Sequence, residues 1–99
     1  MNGLTHAQTE RIGKLCEEMG ESLQCIGKVL LHGYHVEYQG VVYNNKSDLE
    51  RELGDVAAAM RLLTRSGDLS SVAIAHQRRA KLATITRYMA HQALSQMET

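Results

Sequence analysis

Residues 12–30, IGKLCEEMGESLQCIGKVL, decide how this chain folds. Apolar side chains recur there at Ile12, Leu15, Cys16, Met19, Leu23, Ile26, Val29 and Leu30. That three-and-four spacing is the mark of a helix with one apolar stripe. Thr5 is a suitable cap ahead of it, so a first helix is predicted from Thr5 to about Leu31. Gly13, Gly20 and Gly27 interrupt it at seven-residue intervals. Each costs up to about 1 kcal/mol against Ala, so they mark either close helix contacts or simply a weak helix.

The same stretch carries an acidic group, Glu17-Glu18-Met19-Gly20-Glu21, and a second follows at Glu52-Leu53-Gly54-Asp55. Glu18 and Glu21 stand three apart, as do Glu52 and Asp55. On a helix such pairs are surface neighbours, with Cβ atoms about 5–6 Å apart. The second pair lies in a second predicted helix, opened by Ser47 or Asp48, with Ser47 and Glu50 at capping-box spacing. Leu49, Leu53, Val56, Met60 and Leu63 form its stripe, and Ser66-Gly67 ends it. Two such helices facing each other bring four carboxylates to one point. They would repel and raise each other's pKa unless a cation sat between them. Oxygen-only donors suit Mg²⁺ or Mn²⁺ better than zinc. A solvated helix face is the ordinary reading of either group alone; the two together favour a metal site.

Helical geometry tests that idea. At about 100° per residue, the first stripe centres near Met19 and Leu23. Glu18 then falls about 120° away and Glu21 nearly opposite. Glu52 and Asp55 flank the second stripe near Ala59. Carboxylates so placed need a second groove on the first helix, which requires more helices than three or a partner subunit.

The rest of the chain bounds the answer. A length of 99 residues supports one domain, residues 1–99. A domain of that size buries only about 60–70% of its unfolded surface, so oligomerisation would help complete the core. No Pro, Phe or Trp occurs, and Leu, Ala, Met, Glu and Arg are plentiful. The fold class is therefore all-α, a helical bundle. Between the first two helices, residues 32–46 (HGYHVEYQGVVYNNK) hold three of the four Tyr. Tyr38-Gln39-Gly40 reads either as a short hairpin or as an ordered loop. A third helix is predicted from Ser70 or Ser71 to about Ala93. Eleven basic and eleven acidic residues give no net charge, which disfavours binding of nucleic acid through a basic surface. Cys16 and Cys25 lie about 13 Å apart along one helix, too far to bridge. Met1 to Gln8 lack the basic start and apolar run of a signal peptide, and no stretch approaches the roughly 18 apolar residues of a membrane span. A reduced, cytoplasmic protein without a membrane partner is the expectation.

The stretches Cys16-Glu17-Glu18-Met19-Gly20-Glu21 and Leu49-Glu50-Arg51-Glu52-Leu53-Gly54-Asp55-Val56 together resemble the MazG-like all-α nucleoside triphosphate pyrophosphohydrolases. These are relatives of the dUTPase-type and dCTP-type all-α hydrolases. The likeness runs over roughly residues 10–90. It implies that Glu18, Glu21, Glu52 and Asp55 hold Mg²⁺, with Mn²⁺ as a possible substitute. Glu17 and Glu18 would be catalytic, Glu17 orienting the cluster or a water. The implied reaction is attack of water at the α-phosphorus of an NTP or dNTP, releasing the monophosphate and pyrophosphate. Lys81-Leu82 with Arg87-Tyr88 looks like the family's basic segment. Lys81, then Arg78 and Arg87, would meet phosphate charge, with Tyr88 beside the substrate. An exposed helix face is the plainer reading of Arg78 and Arg79. The likeness further implies a homodimer or homotetramer.

Two departures stand out. Residues 32–46 lengthen the gap between the acidic motifs, and Thr84 and Thr86 stand where relatives often place Asn or Asp. Substrate-base contacts are thereby left unassigned. His32 and His35 accompany Tyr34 and Tyr38 in the insert, which either covers a base or is a plain surface loop. None of the five His is assigned as a ligand. Three other readings compete: a non-enzymatic helical interaction module, a catalytically reduced nucleotide-binding relative, and a metal-storing bundle. The last usually uses Glu-x-x-His pairs, and none occurs here.

Overall fold

A computed structural model describes residues 1–92. The order is α1 (His6–His32), β1 (His35–Tyr38), β2 (Val41–Asn44), α2 (Asn45–Arg65) and α3 (Ser71–Leu82). The fold is all-α with a short hairpin insert. Met1–Leu69 makes one compact unit and the described residues from Ser70 onward a second.

Helix α1 starts where the sequence placed it. Thr5 Oγ1 accepts from Gln8 N–H at 3.1 Å, and Gln8 Oε1 accepts from Thr5 N–H at 2.8 Å, a reciprocal capping box. Gly33, at φ 88°, ends the helix and donates its N–H to Val29 O at 2.7 Å. A side chain there would be strained, so glycine fits the stop. A Cβ added at Gly13, Gly20 or Gly27 meets nothing within 4 Å among the described residues. Of the two readings of these glycines, close contact is not made within the described chain.

The insert is a two-stranded antiparallel hairpin, with Val36 opposite Tyr43 and Tyr38 opposite Val41. Gln39 at φ 51° and Gly40 at φ 80° form its two-residue turn. Positive φ at both central positions is what a type I′ hairpin turn demands. Helix α2 is capped three or four residues earlier than expected. Asn44, coming directly off β2, accepts from Ser47 N–H at 2.9 Å and so takes the cap assigned to Ser47 or Asp48. Asn is as good a cap as Ser, and the Asn44-Asn45 pair is also tied to the hairpin base. Asn45 Nδ2 donates to Gly33 O at 3.0 Å and Lys46 N–H to Tyr34 O at 3.1 Å.

Helices α1 and α2 run antiparallel, clamped at both ends. At one end sits the Asn45–Gly33 bond. At the other, Arg11 Nε and Nη2 both donate to the Asp68 carboxylate, the latter at 2.9 Å. The Arg11 guanidinium holds the Asp68 carboxyl below the usual carboxylate range, chiefly by hydrogen bonding. A depressed pKa contributes stability above the unfolded value that is lost as pH falls through the folded one. The melting-temperature difference between wild type and Asp68→Asn should therefore be constant above about pH 5 and close in acid. A gap that persists in acid would show that the pair contributes through something other than charge.

The seam between the two helices corrects the stripe read from the sequence. Its least exposed positions are Leu15, Glu18, Ser22, Cys25 and Val29 on α1, and Asn45, Leu49, Glu52, Val56, Ala59 and Leu63 on α2. Met19 and Leu23, the expected centre, are 47% and 67% exposed. The apolar core is slight: Leu63 and Ala59 alone are buried among the described apolar residues. Helix α2 has packed on the polar side of α1, bringing Glu18 and Ser22 inside.

In the second unit, Ser70 caps α3 by accepting from Ala73 N–H at 3.1 Å. The helix ends at Leu82, not near Ala93, which lies outside the described residues. Consecutive turns follow over residues 83–88. The Thr84-Ile85-Thr86 run explains the stop. Its β-branched residues are weak helix formers, and Thr84 Oγ1 donates instead to Lys81 O at 3.4 Å.

Candidate metal centre

The seam positions the acidic residues. Glu18 and Glu21 lie one turn apart on α1, Glu52 and Asp55 one turn apart on α2, and the antiparallel packing sets the pairs face to face. One carboxylate oxygen from each of the four lies within 4.8 Å of the others. Both pairs singled out from the sequence thus meet at one place.

Burial sets Glu18 and Glu52 apart from the side chains of an ordinary charged face. Glu18 is 7% exposed, yet its Oε2 has no hydrogen-bond partner among the described residues. Glu52 Oε2 is likewise buried and unpartnered, as is Ser22 Oγ one turn beyond Glu18. Buried polar atoms nearly always find a partner, and leaving a charged one without is costly. Two orphan carboxylate oxygens inside one cluster are the mark expected of a cation site. Hydrogen bonding to Glu52, and then its charge, hold the Glu21 carboxyl above the usual range. Desolvation and Glu17 act in the same sense, and Lys14 opposes them.

Lys14 is a residue that sequence reasoning missed. Its Nζ lies 3.4 Å from Glu18 Oε1 and 3.5 Å from Glu17 Oε2. The Glu18 hydrogen bond, followed by the charges of Glu17 and Glu18, raises the ammonium's pKa. The signal was present: Lys14 stands four residues before Glu18, on the same helix face. Lys14, Glu18, Asp55 and Leu62 line a cavity of about 350 Å³ at this end of the cluster. Ser22, four residues after Glu18, was also overlooked, because a lone serine between Glu21 and Leu23 points to no chemistry until its burial is known.

Glu17 lies outside the four-oxygen cluster, with its side chain 57% exposed. Arg78 and Lys81 lie on α3, and Arg87 and Tyr88 in the turns that follow. They belong to the second unit, whereas the carboxylates belong to the first. No helix among the described residues is long and apolar enough to cross a membrane. Comparison with protein-family models, curated proteins and solved structures gives no match to this chain.

Proposed function

We propose that the chain is a nucleotide pyrophosphohydrolase of the MazG-like type, dependent on a divalent cation and cleaving an NTP or dNTP to the monophosphate and pyrophosphate. The observation that carries this reading is the pair of buried, unpartnered oxygens, Glu18 Oε2 and Glu52 Oε2, inside a cluster of four carboxylates. An all-oxygen, anionic donor set fits Mg²⁺, with Mn²⁺ as substitute. Glu18, Glu21, Glu52 and Asp55 would hold the ion. When bound, it supplies charge neutralisation at the phosphate oxygens and lowers the pKa of water.

The remaining work falls to the chain's own side chains. In hydrolysis, a water oxygen bonds to the α-phosphorus, the bond to the bridging oxygen breaks, and pyrophosphate leaves. Glu17, outside the cluster, is the carboxylate left to accept the water's proton. Lys14, paired with Glu18 at 3.4 Å, would be the nearest cation to meet phosphate charge. Lys81, Arg78, Arg87 and Tyr88 are proposed substrate contacts on the strength of the family resemblance.

The chain is further proposed to work as a homodimer or homotetramer. Ile12, Met19, Leu23, Ile26 and Leu30 form a stripe along α1 that α2 does not cover, and Leu30 is 82% exposed. Helix α1 is then wrapped on both sides, by α2 over the carboxylates and by a second copy over the stripe. A non-enzymatic interaction module would present the same stripe to a different partner.

The test is pyrophosphate release from a panel of NTPs and dNTPs with Mg²⁺, beside Asp55→Asn. Release by the wild type that vanishes in the variant is the expected result. Folded wild type that releases nothing from any nucleotide, with Mg²⁺ or with Mn²⁺, would end the hydrolase reading in favour of the interaction module.

A further inference from the structure

A second cavity lies beside the hairpin, toward the end of α1 and the start of α2. Its volume is about 540 Å³, within the range of small-molecule sites. Val36, Tyr38 and Tyr43 line it from the hairpin, Lys28 and His32 from α1, and Asp48 from α2. The strand register explains why the hairpin residues act together. Val36 and Tyr38 alternate onto one face of β1, and Tyr43 is directly opposite Val36. Asn45, 7% exposed and bonded to Gly33 O, fixes the base of the hairpin beside them. These tyrosines pack no core: Tyr38 is 63% exposed and Tyr43 51%.

We infer that this cavity holds the base of the nucleotide whose phosphates face the carboxylates. Position supports the assignment. Lys28 stands two turns beyond Glu21 on α1, about 10 Å along the axis, and Asp48 one turn beyond Glu52 on α2. A sugar bridges that interval between phosphate and base. Chemistry supports it too. Tyrosine rings offer the flat faces on which bases stack. The edge of the base then meets groups of opposite kind, the Lys28 ammonium donating to a carbonyl oxygen and the Asp48 carboxylate accepting from N–H. Asp48 also lies 3.6 Å from Arg51, but its side chain stays 47% exposed and keeps acceptor capacity. A base with both a carbonyl and an N–H edge satisfies both groups. Adenine, which lacks a carbonyl, is the base this cavity should take least well.

The inference rests on the hydrolase reading only for the direction in which the phosphates run, so its test omits both metal and phosphate. The full chain in EDTA is titrated with guanosine, cytidine, uridine and adenosine, and tyrosine ring resonances are followed by NMR. Shifts at Tyr38 and Tyr43 are expected, with adenosine weakest. Tyr38→Ala should weaken binding by about tenfold, the scale of one base–aromatic stack; Tyr38→Phe should preserve it. Because both rings are exposed, these variants keep their fold. Nucleosides that leave both rings unmoved, or adenosine binding as well as guanosine, would overturn the assignment. So would rings already covered by a second copy. Shifts without any hydrolysis would leave the base site standing and remove the enzyme. Hydrolysis whose base preference survives Tyr38→Ala would do the reverse.

Discussion

Mg²⁺ at about a hundred times its dissociation constant should stabilise the folded chain by about 2.7 kcal/mol, and Glu52→Gln should abolish that gain. For a chain of this size each kcal/mol moves the melting temperature by about 4–8 °C, so the expected rise is roughly 10–20 °C. The variant is chosen for its opposite effect without the ion. Glu52 has no cationic partner within 4.0 Å among the described residues, whereas its hydrogen bond and charge act on Glu21. Neutralising it removes a repulsion, so in EDTA Glu52→Gln should melt at or above the wild-type temperature. With Mg²⁺ the order should reverse. NaCl at matched ionic strength controls for screening, since an exposed acidic face responds to any salt. If NaCl reproduces the Mg²⁺ shift, or the variant shifts as far as wild type, the four carboxylates are a solvated face.

Much of this was legible in the sequence, for an identifiable reason. Local signals survived: Thr5 caps α1, Ser66-Gly67 ends α2, and the three-residue spacing of each acidic pair is a property of one helix. What failed depended on neighbours. The stripe centred on Met19 and Leu23 marks the most apolar face of α1, and the natural assumption is that this face packs first. In the structure α2 covers the face of Leu15, Glu18, Ser22, Cys25 and Val29, and no pattern within α1 could announce that choice. The wheel nevertheless exposed the conflict. Carboxylates pointing away from the apolar stripe cannot be buried by the same contact, and the need for a second groove followed. The end of α3 was missed because its apolar spacing continues past Leu82, while the Thr84-Ile85-Thr86 run acts through the backbone. Tyr38 and Tyr43 could not be placed together without the register, since shifting a hairpin by one residue reverses every side chain.

Leu23→Asp should separate the assembly from the ion site. Leu23 lies in the middle of the uncovered stripe and is 67% exposed. Fully burying a leucine is worth about 1.5–3 kcal/mol, so the fraction still available is worth roughly 1–2 kcal/mol per copy. A two-fold interface counts each substitution twice. The loss of about 2–4 kcal/mol, before the cost of burying Asp, corresponds to at least about a thirtyfold weaker dimer. Sedimentation across a dilution series should show wild type associating where Leu23→Asp is monomeric. The same variant should keep its Mg²⁺-dependent rise in melting temperature, because all four carboxylates come from α1 and α2 of a single chain. Wild type that is monomeric throughout would remove the second copy from the stripe. A variant that loses association and the Mg²⁺ response together would show that α1 and α2 hold their register only when the apolar stripe of α1 is covered. The carboxylate cluster would then be a property of the assembly, and the polar seam, with its few buried apolar side chains, would be too weak to fix it alone.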